Sequence, residues 1–339
     1  TVDAVAIGEI GRVGNDYLPT VRARLEKELG ITPGSVLVNA SHCHGVILRD
    51  IVAQTVQAVD DAMKRLVPVR IGVGRGHEDR VMENRRFLLK NGDQVDSRRA
   101  YSLPPDEAFE AVGPVDPEVG VVRLDGVDGE TVAVLYNFAC HPIEGVPNGG
   151  NTADLVGFAS KVIENNLSEG TIALFLQGCG GDINPALYKD VEHPHDAEPL
   201  GNMLGLSTLE AVRSIETKDD SRLSIISETI ELPLADFAQR IKDTEAQREK
   251  LLQSLRGTTI NLKTFMPLMV KYSLSEDFPS HYAHRYLHEE MLGKEDLKSR
   301  DAENRANMKR YMNNIYIMEE LTRVQANLSL LKKHQKDNA

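Results

Sequence analysis

Short apolar runs alternate with helical stretches over the first two thirds of this chain, and this alternation limits the possible folds most. Apolar residues recur at helical spacing in the helices and form near-continuous runs in the strands. Strands of that kind are buried on both faces, which is typical of a sheet covered by helices. The sequence therefore predicts an α/β fold with a mixed or mostly parallel sheet. The predicted elements are strand 2–10, helix 17–29, strand 35–40, helix 50–66, strands 67–74, 119–124 and 131–138, helix 155–165 and strand 171–177.

Side chains that bind metals or transfer protons follow two of these strands directly. His42, Cys43 and His44 come after one strand, and His141 comes after another. Alternate residues of an extended chain point to the same side, so we expect His42 and His44 to project together. Such a pair supplies two metal ligands, or one ligand and one group that handles a proton. On these residues alone, surface or structural histidines are an equal alternative.

A glycine-rich turn follows the last of the predicted strands. Residues 178–185 read Gly-Cys-Gly-Gly-Asp-Ile-Asn-Pro. The glycines let backbone amides approach a ligand closely, although a tight turn without chemistry explains them about as well. No Lys-Ser or Lys-Thr pair follows, so the turn is not a P-loop. Because ligands of open α/β sheets bind beyond the carboxyl ends of strands, we expect these loops to converge on one pocket.

Charge and composition argue against several classes of partner. The formal net charge is -12 over 339 residues and no basic patch stands out, so a nucleic-acid partner is not expected. No apolar run is long enough to span a bilayer, so no transmembrane segment is expected. The three cysteines, Cys43, Cys140 and Cys179, cannot all pair within the chain, which makes a disulfide framework unlikely by count alone.

Four stretches of the sequence together resemble the neutral/alkaline, non-lysosomal ceramidase family. They read Ser-His-Cys-His-Gly, Asn-Arg, Asn-Phe-Ala-Cys-His-Pro and Gly-Asp-Ile-Asn-Pro, at residues 41–45, 84–85, 137–142 and 181–185. The similarity covers about residues 1–232 and indicates a short, bacterial-type relative of the catalytic domain. Members of this family are zinc amidases of sphingolipid and lipid metabolism. The resemblance implies a small-molecule or lipid amide as substrate and hydrolysis of its N-acyl bond by a metal-activated water.

The resemblance also assigns roles to individual residues. It implies that His42 and His141 bind one zinc ion per chain, and that His44 steadies the developing oxyanion or handles a proton. Arg85 would be a further polar contact to the oxyanion, although the residues alone favour a solvated pair with Arg86.

The turn at 181–185 supplies two further candidate site residues, Asp182 and Asn184. Two positions, one of them in this turn, depart from the family pattern. Asp182 would orient a ligand or a water molecule. Asn184 stands where the family has a serine, and Cys43 stands where the family has a threonine. A changed pocket makes ceramide only one of the acyl amides that the resemblance allows.

The family's remaining zinc ligands, a glutamate and a tyrosine, have no matching motif in this chain. The sequence beyond 232 is helical instead, so the chain is expected to be incomplete at both ends relative to the family, and two ligands are expected to be missing. Two alternatives to the metallohydrolase stay open. One is a thiol hydrolase that uses Cys179 with His141 as base. The other is a non-catalytic binding protein with an incomplete metal site.

Residues 233–339 are predicted to form a second, helical domain packed on the α/β domain of residues 1–232. Helices 236–256 and 301–333 are expected to pair as an antiparallel hairpin. Their Met-rich apolar stripe is alternatively a surface for homo-oligomers. His281, His284 and His288 are expected on a surface segment, with a second metal site as the other interpretation. Many members of the resembled family are exported, which favours a secreted or periplasmic location over the cytoplasm. Unpaired cysteines favour the cytoplasm instead, so the compartment stays open.

Overall fold

A computed structural model of the chain describes residues 10–44, 50–96, 106–145, 152–186, 188, 195–219, 224–226, 228, 230–231, 233–274 and 283–338. The chain forms two compact units, one of Thr1–Arg98 with Pro104–Thr229 and one of Arg99–Leu103 with Ile230–Ala339. The predicted strand 2–10 lies outside the described residues except for its last position, which begins a helix. No helix in the part of the chain that the structure describes combines the length and apolarity needed to cross a membrane.

The order of elements confirms an α/β architecture. The helices are α1 (Ile10–Leu29), α2 (Ile51–Met63), α3 (Asp154–Asn165), α4 (Ala197–Ser214), α5 (Ala238–Ser254), α6 (Leu262–Leu274), α7 (Ala283–Met291) and α8 (Asp296–Asp337). The strands are β1 (Val69–His77), β2 (Met82–Asn84), β3 (Arg86–Leu89), β4 (Gln94–Asp96), β5 (Phe109–Val112), β6 (Glu118–Gly126), β7 (Thr131–Phe138), β8 (Ile172–Gln177) and β9 (Ile183–Pro185).

The main sheet is mixed, as one of the two predicted forms requires. Its four strands run in the order β1-β6-β7-β8. The pairs β1–β6 and β6–β7 are antiparallel, and β7–β8 is parallel. The expectation of a mostly parallel sheet is therefore wrong, because the tight turn between β6 and β7 allows only antiparallel pairing. The parallel pair is the one that matters for the site, since it places the ends of β7 and β8 at the same edge.

One face of this sheet forms the main hydrophobic core with α3 and α4. The two helices approach each other closely at Gly201, where a Cβ atom would lie 2.4 Å from the carbonyl oxygen of Leu155. Glycine is required there because a larger residue would push α4 away from α3. The core contains the fully buried side chains of Val119, Val134, Tyr136, Phe138, Leu155, Ile163 and Leu204.

Two other predicted elements differ from the structure. Residues 36–44 form no strand, and a short 3-10 helix at Pro33–Ser35 precedes them. The reason is that this segment contacts β8 through a side chain instead of a backbone ladder, as described below. The polar stretch 88–118, where no strand was predicted, contains β4 and β5, which form a three-stranded sheet with β3 in the order β4-β3-β5. Its short strands lack the apolar alternation that would have revealed them.

The helical unit contains the predicted antiparallel hairpin. Side-chain contacts between α5 and α8 run in opposite directions along the two helices, from Glu245 with Lys332 to Gln247 with Glu320. Phe265 of α6 packs against Tyr311 of α8 with ring centroids 4.6 Å apart. Association of chains through these helices stays a prediction.

Glu78, between β1 and β2, links the sheet region to α4. Its carboxylate is buried and accepts hydrogen bonds from the backbone and side chain of Arg80 and from the Ser207 hydroxyl at 2.8 Å. Burial alone would raise the pKa of Glu78, but these hydrogen bonds outweigh burial and hold the pKa below its ordinary value of 4.5. Because the folded state binds the proton more weakly than the unfolded state, ionised Glu78 stabilises the fold above that value.

We expect Glu78→Gln to lower the free energy of unfolding by about 2 kcal/mol at pH 7, the typical cost of losing charge-assisted hydrogen bonds in a buried site. The difference from the wild type should shrink as the pH falls below 4.5, where the wild-type carboxylate also takes up a proton. Urea unfolding at pH 7 and pH 4 measures both values. Glu118→Gln, which removes an exposed ion pair with Arg75, is the control and should change little. An equal deficit of Glu78→Gln at both pH values would contradict this account.

Candidate metal centre

Three histidines come together beyond the ends of β7 and β8. One ring nitrogen from each of His42, His44 and His141 lies within 4.8 Å of the other two. The ring centroids are 4.5 Å apart for His42 and His141, 5.2 Å for His42 and His44, and 5.5 Å for His44 and His141. The structure thus brings together the two strand ends that the sequence indicated. Among the described residues, this is the one group of three or more His, Cys, Asp or Glu side chains with such spacing.

The segment that carries His42 and His44 is held by the side chain of Asn39. The Asn39 amide donates to the carbonyl oxygen of Gln177 at 3.2 Å and accepts from the Gln177 N–H at 2.9 Å, so it pairs with the end of β8 as a strand backbone would. His42 has a φ of 63°, in the left-handed region, which bends the chain. The extended geometry predicted for this segment is therefore wrong, although the two imidazoles do lie side by side.

The imidazole of His141 is oriented by the glycine-rich turn. His141 follows β7, and its backbone N–H donates to the carbonyl oxygen of Ile183 at 3.0 Å. The Nδ1 atom of the same residue lies 2.9 Å from that oxygen. A carbonyl oxygen accepts only, so Nδ1 carries the proton and Nε2 of the neutral ring keeps a lone pair for a ligand. Metal-binding histidines are commonly oriented by such a second hydrogen bond.

Burial and positive charge keep two of these imidazoles neutral. Burial lowers the pKa of His42, and the guanidinium of Arg85 lowers it further. Burial likewise lowers the pKa of His141, with a smaller contribution from Arg85, while the hydrogen bond to Ile183 acts in the opposite direction. Neutral imidazole is the form that binds a metal ion. The donor set, its spacing and its protonation therefore fit a zinc ion.

Arg85 is buried, with only 5% of its surface exposed, so the expectation of a solvated pair holds for Arg86 alone. The pairing of β2 with β9 explains this, because it places Arg85 against the glycine-rich turn. Its backbone N–H donates to the carbonyl oxygen of Asp182 at 2.9 Å, and its guanidinium donates to the carbonyl oxygen of Gly181. Arg85 thus shapes the turn as well as adding positive charge beside His42.

The two other candidate residues of the turn lie on either side of Arg85. Asn184 is fully buried, and its side-chain oxygen accepts from Arg85 at 3.5 Å. The carboxylate of Asp182 is partly exposed and contacts Asn84 at 3.3 Å and Arg86 at 3.8 Å. The contacts of both residues organise the turn, and their predicted catalytic roles stay predictions.

A buried acidic group next to this centre was not indicated by the sequence. The carboxylate of Glu144 is buried and contacts Nδ1 of His195 at 3.0 Å. Burial raises the pKa of Glu144, and the carboxylates of Asp154 and Glu83 raise it further, while His195 acts in the opposite direction. Nothing in the spacing of Glu144 and His195 signals a contact across 51 positions.

Asp154 stands at the first position of α3, one residue before the predicted start of that helix. Helix α3 begins at Asp154 itself, whose φ of 51° is left-handed. Its buried carboxylate accepts the backbone N–H groups of Glu144 at 3.1 Å, Gly145 at 2.7 Å and Leu155 at 2.8 Å. Asp154 therefore fastens the loop that follows His141 to the start of α3.

Two solved ceramidase structures match part of this chain. The crystal structure of neutral ceramidase from Pseudomonas aeruginosa matches with 21% sequence identity and a TM-score of 0.45, over 58% of this chain and 34% of that chain. A ceramidase complexed with C2 matches with 20% identity over the same shares, also with a TM-score of 0.45. No protein-family model and no curated protein sequence matches the chain.

Both of these solved structures are ceramidases, the family that the sequence motifs resemble. At this identity the likeness concerns the fold alone. The chain spans about a third of the length of these ceramidases.

The remaining candidates fall outside the histidine cluster. Cys43, Cys140 and Cys179 form no disulfide with one another. Cys179, the alternative nucleophile, is exposed on the turn after β8, and the described residues show no hydrogen bond between it and His141. The side chains of His281 and His284, from the alternative second metal site, lie outside the described residues.

Proposed function

We propose that this chain is a zinc-dependent hydrolase that cleaves an N-acyl amide bond, either of ceramide or of another acyl amide. The observation that carries the proposal is the cluster of His42, His44 and His141, whose imidazoles share one small volume beyond the ends of β7 and β8. The ceramidase-like motifs at the same positions support the amide as the bond that is cut. The proposal gives His42 and His141 the role of zinc ligands, with one ion per chain.

A bound zinc ion supplies Lewis acidity and lowers the pKa of a water ligand to about 7. The protein supplies orientation and charge. The carbonyl oxygen of Ile183 holds His141 in one tautomer. Arg85 is buried beside the cluster, so its positive charge acts there with little screening by solvent. In the proposed reaction, Arg85 stabilises negative charge on the carbonyl oxygen of the amide, while Asp182 and Asn184 keep the turn in shape around it.

The test combines metal content with hydrolysis. We expect about one zinc ion per chain by inductively coupled plasma mass spectrometry. We also expect cleavage of N-acyl amides of increasing chain length, including a ceramide in detergent micelles, that a chelator abolishes and added zinc restores. Wild-type protein that binds no zinc even after refolding with the metal would overturn the proposal. So would hydrolysis that resists the chelator but is lost on alkylation, which would indicate Cys179 as nucleophile. Zinc binding without cleavage of any acyl amide would favour the binding protein instead.

A further inference from the structure

Two segments of the helical unit carry positive charge and no negative charge. Residues 250–274, which include α6, contain no Asp or Glu, and neither do residues 304–318 of α8. The basic residues of the two segments are Lys250, Arg256, Lys263, Lys271, Arg305, Lys309 and Arg310. The whole chain has 51 acidic residues against 39 basic ones, so these segments have the opposite sign to the chain as a whole.

The structure brings the two segments together. Phe265 of α6 packs against Tyr311 of α8 with ring centroids 4.6 Å apart, and the Asn307 amide donates to the Thr259 hydroxyl at 3.1 Å. The segments lie far apart in the sequence, which is why no basic patch was visible there. At physiological salt, exposed charges more than about 8 Å apart are largely screened from one another. A partner at this surface therefore responds to its local positive charge more than to the net charge of -12.

A row of apolar side chains on α6 faces outward. Leu262, Met266 and Val270 follow one another at four-residue spacing, so they lie along one face of the helix, and they are 58%, 53% and 54% exposed. Phe265, on a different face, is buried against α8. At 100° per residue, Lys263 borders the row on the side away from Phe265. Exposed apolar rows with a polar border mark interaction surfaces.

The charges next to this row are not neutralised within the part of the chain that the structure describes. Lys263, Lys309 and Arg310 are exposed, and none of them forms an ion pair with a described residue. Arg310 donates only to the neutral side chain of Asn307, at 2.6 Å. Lys332, farther along α8, instead forms an ion pair with Glu245 at 2.6 Å. The basic residues around α6 thus keep their charge for a partner.

We propose that α6 and residues 304–318 of α8 form a docking surface for an anionic lipid bilayer, with α6 lying in its headgroup region. Apolar residues along one face with lysines beside them are the pattern of helices that lie in this interface. The apolar row enters the boundary of the acyl chains, and Lys263, Lys309 and Arg310 contact anionic headgroups. The inference uses no residue of the histidine cluster and does not depend on the proposed hydrolase.

Two other partners fit these residues less well. In a symmetric dimer the same surface would face itself, so the basic residues of two copies would oppose one another. A nucleic acid would pair with the charges through its phosphates but would leave the aliphatic row of α6 without a matching surface. An anionic bilayer matches both the charges and the apolar row.

Sedimentation of the full chain with lipid vesicles tests the proposal. Vesicles of phosphatidylcholine alone are compared with vesicles that contain about 30% of the anionic lipid phosphatidylserine. We expect binding to the anionic vesicles to be at least about ten-fold tighter and to weaken as salt is added. Lys263→Gln should weaken binding about five-fold, the effect of one basic residue at an anionic surface. The double variant Met266→Asp, Val270→Asp should weaken it more than about ten-fold.

Matched controls lie in the α/β unit. Leu206→Asp changes an exposed leucine of α4, and Lys161→Gln an exposed lysine of α3, and both should bind vesicles as the wild type does. Circular dichroism and thermal unfolding check that the α6 variants fold. The comparison of the two vesicle types needs no variant, so it decides the question even if a substitution disturbs the helical unit.

Three results would overturn the proposal. The first is wild-type protein that binds neither vesicle type, or binds both equally. The second is wild-type binding by folded α6 variants. The third is a dimer in light scattering that Met266→Asp dissociates, because a second copy would then cover the row.

These outcomes are separate from those of the proposed function, since neither lipid carries an N-acyl amide. Binding to anionic vesicles by a chain that cleaves no acyl amide would leave the docking surface standing and overturn the amidase. Zinc-dependent hydrolysis by a chain that binds no vesicles would overturn the docking surface and leave the amidase standing.

Discussion

Replacing either His42 or His141 with alanine is expected to remove the metal and, with it, hydrolysis. Each substitution deletes one of the two proposed imidazole ligands, and the single ligand that remains cannot hold the ion firmly. We expect zinc affinity to fall by more than about 100-fold, beyond the loss that outer contacts cause. Zinc content after dialysis and competition with a chelator measure this. Activity on an acyl amide should fall in parallel and should not return at zinc concentrations that saturate the wild type.

His77→Ala is the matched control for both variants, since it removes an exposed imidazole from β1 that contacts only Asp79. It should retain one zinc ion and wild-type activity. Full zinc content in both His42→Ala and His141→Ala would show that the cluster is not the metal site. The metal-free form of His42→Ala should unfold near the temperature of the metal-free wild type, because His42 is only half-buried. His141→Ala removes a buried ring and its hydrogen bond to Ile183, so its metal-free form should unfold at a lower temperature.

Asp154→Ala is expected to cause the largest loss of stability among single substitutions near the site. The side chain is 1% exposed and accepts three backbone N–H groups, from residues that join the loop after His141 to α3. Alanine would leave these buried donors without their acceptor and would also be strained at a φ of 51°. We expect the free energy of unfolding to fall by about 3 kcal/mol. Urea unfolding measures this loss, and the dependence of the unfolding free energy on urea concentration should keep its wild-type slope.

Asp154→Asn removes the charge of this side chain and keeps its size, so it separates the two contributions to stability. Asparagine adopts left-handed backbone readily and keeps one acceptor oxygen, so we expect a loss of about 1–2 kcal/mol, smaller than that of alanine. Equal stability of Asp154→Ala and the wild type would mean that the loop does not depend on this carboxylate. Because the loop carries His141 at its start, zinc affinity of both variants should follow the order of their stabilities.

The regular parts of the fold could be predicted because their signals are local. The hairpin of β6 and β7 follows from Asp-Gly pairs between two apolar runs, and α1 follows from helical spacing ended by Gly30, whose φ is 71°. The pairing of the long helices α5 and α8 could also be predicted, because an apolar stripe runs along their sequences. Whether two strands pair parallel or antiparallel was harder to predict, because a run of apolar residues looks the same in both cases.

The site could be predicted only in part, because much of it depends on contacts between distant residues. Histidines at strand ends are visible in a sequence. The burial of Arg85 is not, since it results from the pairing of β2 with β9, strands of three residues each. The contact of Glu144 with His195 likewise joins two segments with no shared pattern. Residues 35–40 were misjudged as a strand because their apolar run imitates one, although Leu37 is 91% exposed.

The attachment of that segment through Asn39 bears on how a metal ion reaches the cluster. Two hydrogen bonds of one side-chain amide connect Asn39 to the last residue of β8, and no ladder continues from them. Net contributions of about 1 kcal/mol for each such bond are small beside the 5–15 kcal/mol that typically separates a folded domain from its unfolded state. The Cys43 thiol adds one further hydrogen bond, to the carbonyl oxygen of Thr152 at 3.4 Å, and none of these three bonds belongs to the sheet, so the histidine segment can detach while the sheet stays intact. Metal exchange is then governed by a local opening of the chain, and its rate should be independent of how stable the core is.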